Sequence, residues 1–141
     1  MPRKMPKSLH SWLIPKLRHV SRYWVGKTIA RDLAKVYVQV GTFKNGKPKM
    51  SPRYRCAECD RQGIKKLHEE HETQMDHIKS VVDIKGFTNW DDYINGLFCQ
   101  PSNYQCLCIP HHNEKTQKEN LYRAKEKLKR NRNKKLTTPK K

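Results

Sequence analysis

Apolar residues in the first part of the chain recur at helical spacing. Leu13, Leu17, Val20 and Trp24 follow at intervals of four, three and four, as on one face of a helix, and Pro15 suits a first-turn position. A second helix is expected from Thr28 to about Val38, with Ile29, Leu33 and Val36 or Tyr37 on one side. Its end is ambiguous, because Val36, Val38 and Val40 also alternate as in a strand and Asn45-Gly46 is a hairpin-turn signal. The pattern is met by helix in the first half and a short hairpin around residues 38 to 53.

From Pro110 onward the chain reads as helix again. Proline suits the first helical position, Glu114 precedes Lys118 by four and Glu126 precedes Arg130 by four, and Leu121, Ala124 and Leu128 lie along one side. Between Ile78 and Asn103 helix and strand signals are few. Phe87, Trp90, Tyr93, Leu97 and Phe98 in that stretch are expected to pack a compact loop over the core rather than to stack on bases.

Charge divides the chain into three. Residues 1–55 carry 14 Lys/Arg against one acid (+13), residues 56–119 carry seven against 11 (−4), and residues 120–141 carry ten against one (+9). Two cationic arms flanking a slightly acidic centre suit a polyanion, since each cation near a phosphate releases condensed counterions. Arg18, Arg22, Lys27 and Arg31 in the first arm, with Lys115, Lys118 and Arg123 on the last helix, are the expected nucleic-acid contacts. Residues 130 to 141 read equally as a solvated tail. A membrane surface is a poorer match, because the C-terminal arm lacks the aromatic, apolar face of a membrane-lying helix.

At 141 residues and strongly polar composition, the chain has little material for a large core, and a stapling metal would help. Five cysteines and the absence of a signal-type apolar run at the N-terminus argue against a secreted disulfide scaffold and for reduced, cytoplasmic thiols. The first 31 residues, basic and free of acid, also mimic a transit peptide. No run reaches the roughly 20 apolar residues needed to cross a bilayer.

Cys56-x2-Cys59 and Cys108-x2-His111 are two close pairs about 50 residues apart, the arrangement a tetrahedral structural zinc uses. Cys99 and Cys106 read as small buried hydrophobes, with Cys106 the substitute ligand should His111 fail. At Asp76-His77 a carboxylate suited to a hard divalent cation adjoins an imidazole that can take a proton from water, and His112 offers a further nitrogen. His10, His19, His68 and His71 are expected at the surface, with His71 a stray metal contact at most.

Taken in order, Asp76-His77, Asn103 and Cys108-x2-His111-His112-x2-Lys115-Thr116 resemble the HNH endonucleases of the ββα-metal type. The closest likeness is to small phage-encoded members, with Trp90-x2-Tyr93, Leu97-Phe98 and Asn103-x-Gln105 as intervening landmarks. The resemblance covers about residues 54 to 120. It implies an α+β fold: a small zinc-stapled ββα core at 54–120, a basic and mainly helical DNA-binding extension at 1–53, and a basic helix and tail at 121–141.

It further implies that His77 is the general base, oriented by Asn103, and that Asp76 and His112 hold Mg²⁺ or Mn²⁺, with Ni²⁺ or Zn²⁺ as alternatives. The expected activity is hydrolysis of phosphodiesters in double-stranded DNA. A monomer would nick, and a DNA-dependent dimer would break both strands. One departure stands out: the position before the last motif histidine is usually a zinc-binding cysteine, and here it is His111. The task would be homing or an accessory role in phage packaging or recombination, in the cytoplasm of a bacterial host. The competing class is a non-catalytic zinc module that binds nucleic acid.

Overall fold

The computed structural model describes Met5 and residues 8–83 and 86–137. Helix α1 (Leu9–Ser21) starts at Ser8, whose side chain accepts from Ser11 N at 3.1 Å. Pro15 lies inside this helix rather than in its first turn, so the Ser11 carbonyl has no i+4 donor. Trp24 is not part of the α1 stripe but caps α2 (Val25–Ala34). Its indole donates to Cys99 O at 2.7 Å, directly beside Gly26, where any Cβ would lie 2.5 Å from the indole nitrogen.

The second helix ends four residues earlier than the apolar spacing suggests, because the β-branched alternation prevails. β1 (Lys35–Thr42) pairs antiparallel with β2 (Pro48–Arg55), from Lys35↔Tyr54 to Thr42↔Pro48, with a bulge between Gln39 and Gly41. The turn is closed by Phe43 N donating to Lys47 O at 2.8 Å, and Gly46 adopts φ 80° as the Asn-Gly signal requires. The hairpin thus runs over 35–55, longer than the expected 38–53. β3 (Leu67–His68) extends the sheet at Tyr54 and Arg55. The extension at 1–53 is accordingly part helix and part ribbon.

After Cys56, α3 (Ala57–Arg61) forms one short helix. β4 (Thr73–His77) then pairs antiparallel with β5 (Tyr104–Cys108), and α5 (Ile109–Thr137) follows without a break. The segment between them, expected as loop, contains α4 (Trp90–Leu97). Asn89 caps it by accepting from Asp92 N at 2.8 Å, and Asp91 and Asp92 face the positive helix start. Tyr93 and Leu97 are buried, and Phe87 and Trp90 meet edge to face, so these aromatics pack as expected.

One core cluster joins Ala30, Tyr54, Met75, Tyr104 and Cys106, with Trp24, Ala34 and Cys99 against it. Helix α2 therefore shares its core with β4 and β5. A second cluster gathers Cys56, Cys59, Leu107 and Cys108. Along α5, Glu114 pairs with Lys118 at 2.6 Å as the spacing suggests, and Glu126 pairs with Lys129 at 2.9 Å. Leu121 and Leu128 are exposed, so their stripe buries nothing. The helix continues through Thr137, and the remainder of the expected tail, 138–141, lies outside the described residues, as do Arg3, Lys4 and Lys7 of the first arm. Among the described residues no helix is long and apolar enough to cross a membrane.

Candidate metal centre

Cys56 ends the β2 run and caps α3, Cys59 lies within α3, Cys108 closes β5, and His111 sits in the first turn of α5. Four elements thus deliver four ligand atoms that all lie within 4.8 Å of one another, the three sulfurs from buried cysteines. His111 Nδ1 is 3.5 Å from Cys56 Sγ, 3.5 Å from Cys59 Sγ and 3.3 Å from Cys108 Sγ, and the Cys59 and Cys108 sulfurs are 3.9 Å apart. Tetrahedral zinc, with bonds of about 2.3 Å to sulfur and 2.0 Å to nitrogen, has edges of about 3.8 and 3.5 Å. The cluster is compatible with a structural zinc site, and it takes His111 as its nitrogen ligand. Cys106 belongs to the other core cluster.

The protonation of these thiols supports the same reading. Burial alone raises the Cys56 thiol, but backbone N–H groups of Cys108 and Cys59, with His111, outweigh it and bring Cys56 down to about 7. Burial and the neighbouring Cys56 push Cys59 up to about 12. Like charges so close repel, and a divalent cation among them reverses that sign.

His68, expected at the surface, is buried at 5% exposure, with Nε2 3.7 Å from Cys59 Sγ. Burial, and then Lys66, holds its pKa below the ordinary imidazole value, so the neutral ring can donate N–H to the sulfur. The sequence hides this because the contact depends on β3 pairing with β2. We expect His68→Phe, which keeps the ring and removes the donor, to weaken zinc binding about 10-fold or more in competition with a chromophoric chelator. Unchanged affinity would make the contact mere packing. His71 is exposed, its Nδ1 3.4 Å from a Glu69 carboxylate oxygen, and it is not among the four clustered ligands.

Asp76 and His77 are adjacent on β4 and therefore point to opposite faces. Asp76 faces α5: Lys115 Nζ donates to its Oδ2 and to His77 O at 2.5 Å, and lies 3.3 Å from Glu119. Gln105 Nε2 reaches the same carboxylate oxygen at 3.3 Å. His77 faces the core, its ring 4.7 Å from that of Tyr104. The Leu97 carbonyl, which accepts from Tyr104 Oη at 3.1 Å, is its backbone partner, while Nε2 is buried without any. Burial holds the His77 pKa below the ordinary value, although Asp76 and Leu97 pull it upward.

Asn103 does not have the partner expected of it. Its Oδ1 accepts from Lys79 N at 3.0 Å and its Nδ2 donates to Lys79 O, fixing the chain just beyond β4 rather than the His77 ring. His112 is half-buried in the first turn of α5 beside His111. Among the described residues, Asp76 and His112 do not complete a second convergent group of three metal-ligating side chains.

The expected nucleic-acid contacts are mostly engaged within the fold. Arg18 donates to Tyr93 Oη at 3.3 Å, Arg31 pairs with Glu70 at 2.9 Å, Lys118 with Glu114, and Arg123 reaches Val82 O at 3.5 Å. Lys115 is held by Asp76, and Lys27 is half-buried, its pKa lowered by burial and then by Arg31 and Arg22. Arg22 is exposed. The exposed pairs among these are weak. No protein-family model, no curated protein and no solved structure matches this chain.

Proposed function

We propose that this protein is a zinc-stapled endonuclease of the HNH type, hydrolysing phosphodiester bonds in double-stranded DNA with the aid of a hard divalent cation. One observation carries the reading: β4, β5 and α5 follow in the order strand, strand, helix, with Asp76-His77 ending the first strand and His112 in the first turn of the helix. The Cys₃His cluster fixes that turn through His111, the residue next to His112.

The residues fit a cation on the α5 side. Asp76 carboxylate, His77 carbonyl and Glu119 carboxylate already surround one positive charge, the Lys115 ammonium. Asp76 and His112 would hold Mg²⁺ or Mn²⁺, which would supply charge stabilisation at the scissile phosphate. Lys115 would then be released from Asp76 and turn to the phosphate backbone. The neutral His77 imidazole would accept a proton from the attacking water. Because His77 and Asp76 occupy opposite faces of β4, the end of the strand must turn by one residue to bring both to one phosphate.

A second reading has its own support. Lys115 satisfying Asp76, with His77 turned into the core, is what a non-catalytic, nucleic-acid-binding zinc module would display. Zinc-loaded protein incubated with supercoiled plasmid separates the two. With Mg²⁺ or Mn²⁺ the wild type is expected to give nicked circles and Asp76→Ala essentially none. Intact supercoils under both metals would sink the nuclease and leave the binding module.

A further inference from the structure

The outer part of the β1–β2 ribbon, beyond the buried Tyr54 at its base, is used by neither the core nor the metal cluster. Among the described residues, Val38 to Ser51 pair only across the hairpin, because β3 meets β2 no further out than Tyr54 and Arg55. Between Asp32 and Glu58 the sequence has no acid, while residues 35–55 carry six Lys/Arg. The base is tied down by Lys35 with Asp32 at 2.8 Å and Arg53 with Glu69 at 3.4 Å. Lys44, Lys47 and Lys49, at the tip, are exposed.

The exposed side chains are not those of an ordinary solvated strand. Tyr37 pairs with Pro52 and Gln39 with Met50, which puts these four on one face. Tyr37 and Met50 are 64% and 50% exposed, and Val40 and Phe43 stand out nearby. An aromatic ring, an amide and a thioether flanked by lysines match what base edges offer, donors, acceptors and thymine methyls, between two rows of phosphates.

We infer that the β1–β2 ribbon inserts into the major groove of B-form duplex DNA, with Lys44, Lys47 and Lys49 on the phosphates and the Tyr37, Gln39 and Met50 face towards the bases. Two strands about 4.8 Å apart, with their side chains, fit a groove about 12 Å wide. The deep, narrow major groove of A-form RNA does not admit them. The bulge between Gln39 and Gly41 adds local right-handed twist, which lets a ribbon follow the groove. This inference rests on the proposed DNA partner but not on catalysis.

The test uses the full, zinc-loaded chain without added Mg²⁺ or Mn²⁺, a 30-base-pair DNA duplex, and the triple variant Lys44→Gln, Lys47→Gln, Lys49→Gln. By fluorescence anisotropy over a range of salt, the variant's slope of log affinity against log salt is expected to fall by up to about 2.7, at about 0.9 per lost contact. Dimethyl sulfate reads guanine N7, which lies in the major groove. Wild type is expected to protect it, and Tyr37→Ala combined with Gln39→Ala to lose that protection while still binding. Equal zinc content and circular dichroism confirm that the variants fold.

An unchanged salt slope, or N7 left open with adenine N3 protected in the minor groove, overturns the inference. Equal affinity for an RNA duplex does so too. Wild type that binds no duplex removes this inference and the DNA nuclease together. Hairpin-dependent N7 protection by a protein that never cuts plasmid leaves the ribbon's role standing and removes only the nuclease.

Discussion

Stripping zinc from the protein with a chelator, or removing a ligand by Cys108→Ala, is expected to abolish its cooperative thermal transition. The four ligand residues tie the end of β2, α3, the end of β5 and the start of α5 to one point. The apolar support there is small: Leu107 and the cysteines themselves, with Ala57 alongside. Zinc in small domains contributes about 10–16 kcal/mol of apparent binding energy, as large as the whole stability of a typical domain.

Without the ion, three thiols and an imidazole crowd together, and Cys59 stays protonated because burial and its neighbours push it up to about 12. Zinc uptake must therefore displace that proton, and affinity should drop as the solution is acidified. Circular dichroism melts with and without chelator, alongside a zinc count, measure both effects. Cys106→Ala, outside the cluster, should retain one zinc per chain. A melt indifferent to the chelator would show that the sulfurs pack without holding a metal.

Replacing His77 by alanine should cost about 10²- to 10⁴-fold in plasmid nicking, the range a positioned general base contributes. Zinc content and DNA affinity should stay at wild-type levels. The expectation comes from one buried atom: His77 Nε2 has no hydrogen-bond partner, although burying such a group without one is costly. Desolvation keeps the ring neutral, the state a base requires. If His77→Ala cuts as fast as wild type while melting lower, the imidazole serves only to pack against Tyr104.

The metal cluster was legible because zinc spacing is a local property: two residues between Cys56 and Cys59, two between Cys108 and His111. The Asn45-Gly46 turn and the last helix were legible for the same reason. Helix α4 was not, although Asn89 followed by Asp92 is a capping pattern, because eight residues amount to barely two turns and give too short a period to stand out. For its cations the sequence could not supply the intramolecular partners. Asp76 meets Lys115 across 39 residues, and Arg31 meets Glu70 across another 39. The opposed faces of Asp76 and His77 follow from strand pleating once β4 is known, and its five residues are too few to announce themselves.

Helix α5 divides in a way that bears on how such a chain can change over generations. His111, Lys115, Glu119 and Arg123 fasten its first half to the cluster, to β4 and to the segment at Ser80 and Val82. Beyond Arg123 most side chains stand exposed, leucines included. Insertions, deletions or charge swaps in that outer half would change the charge it presents, and any hold on the proposed polyanion, while leaving the anchored half untouched. Selection can therefore tune the two halves of one helix separately.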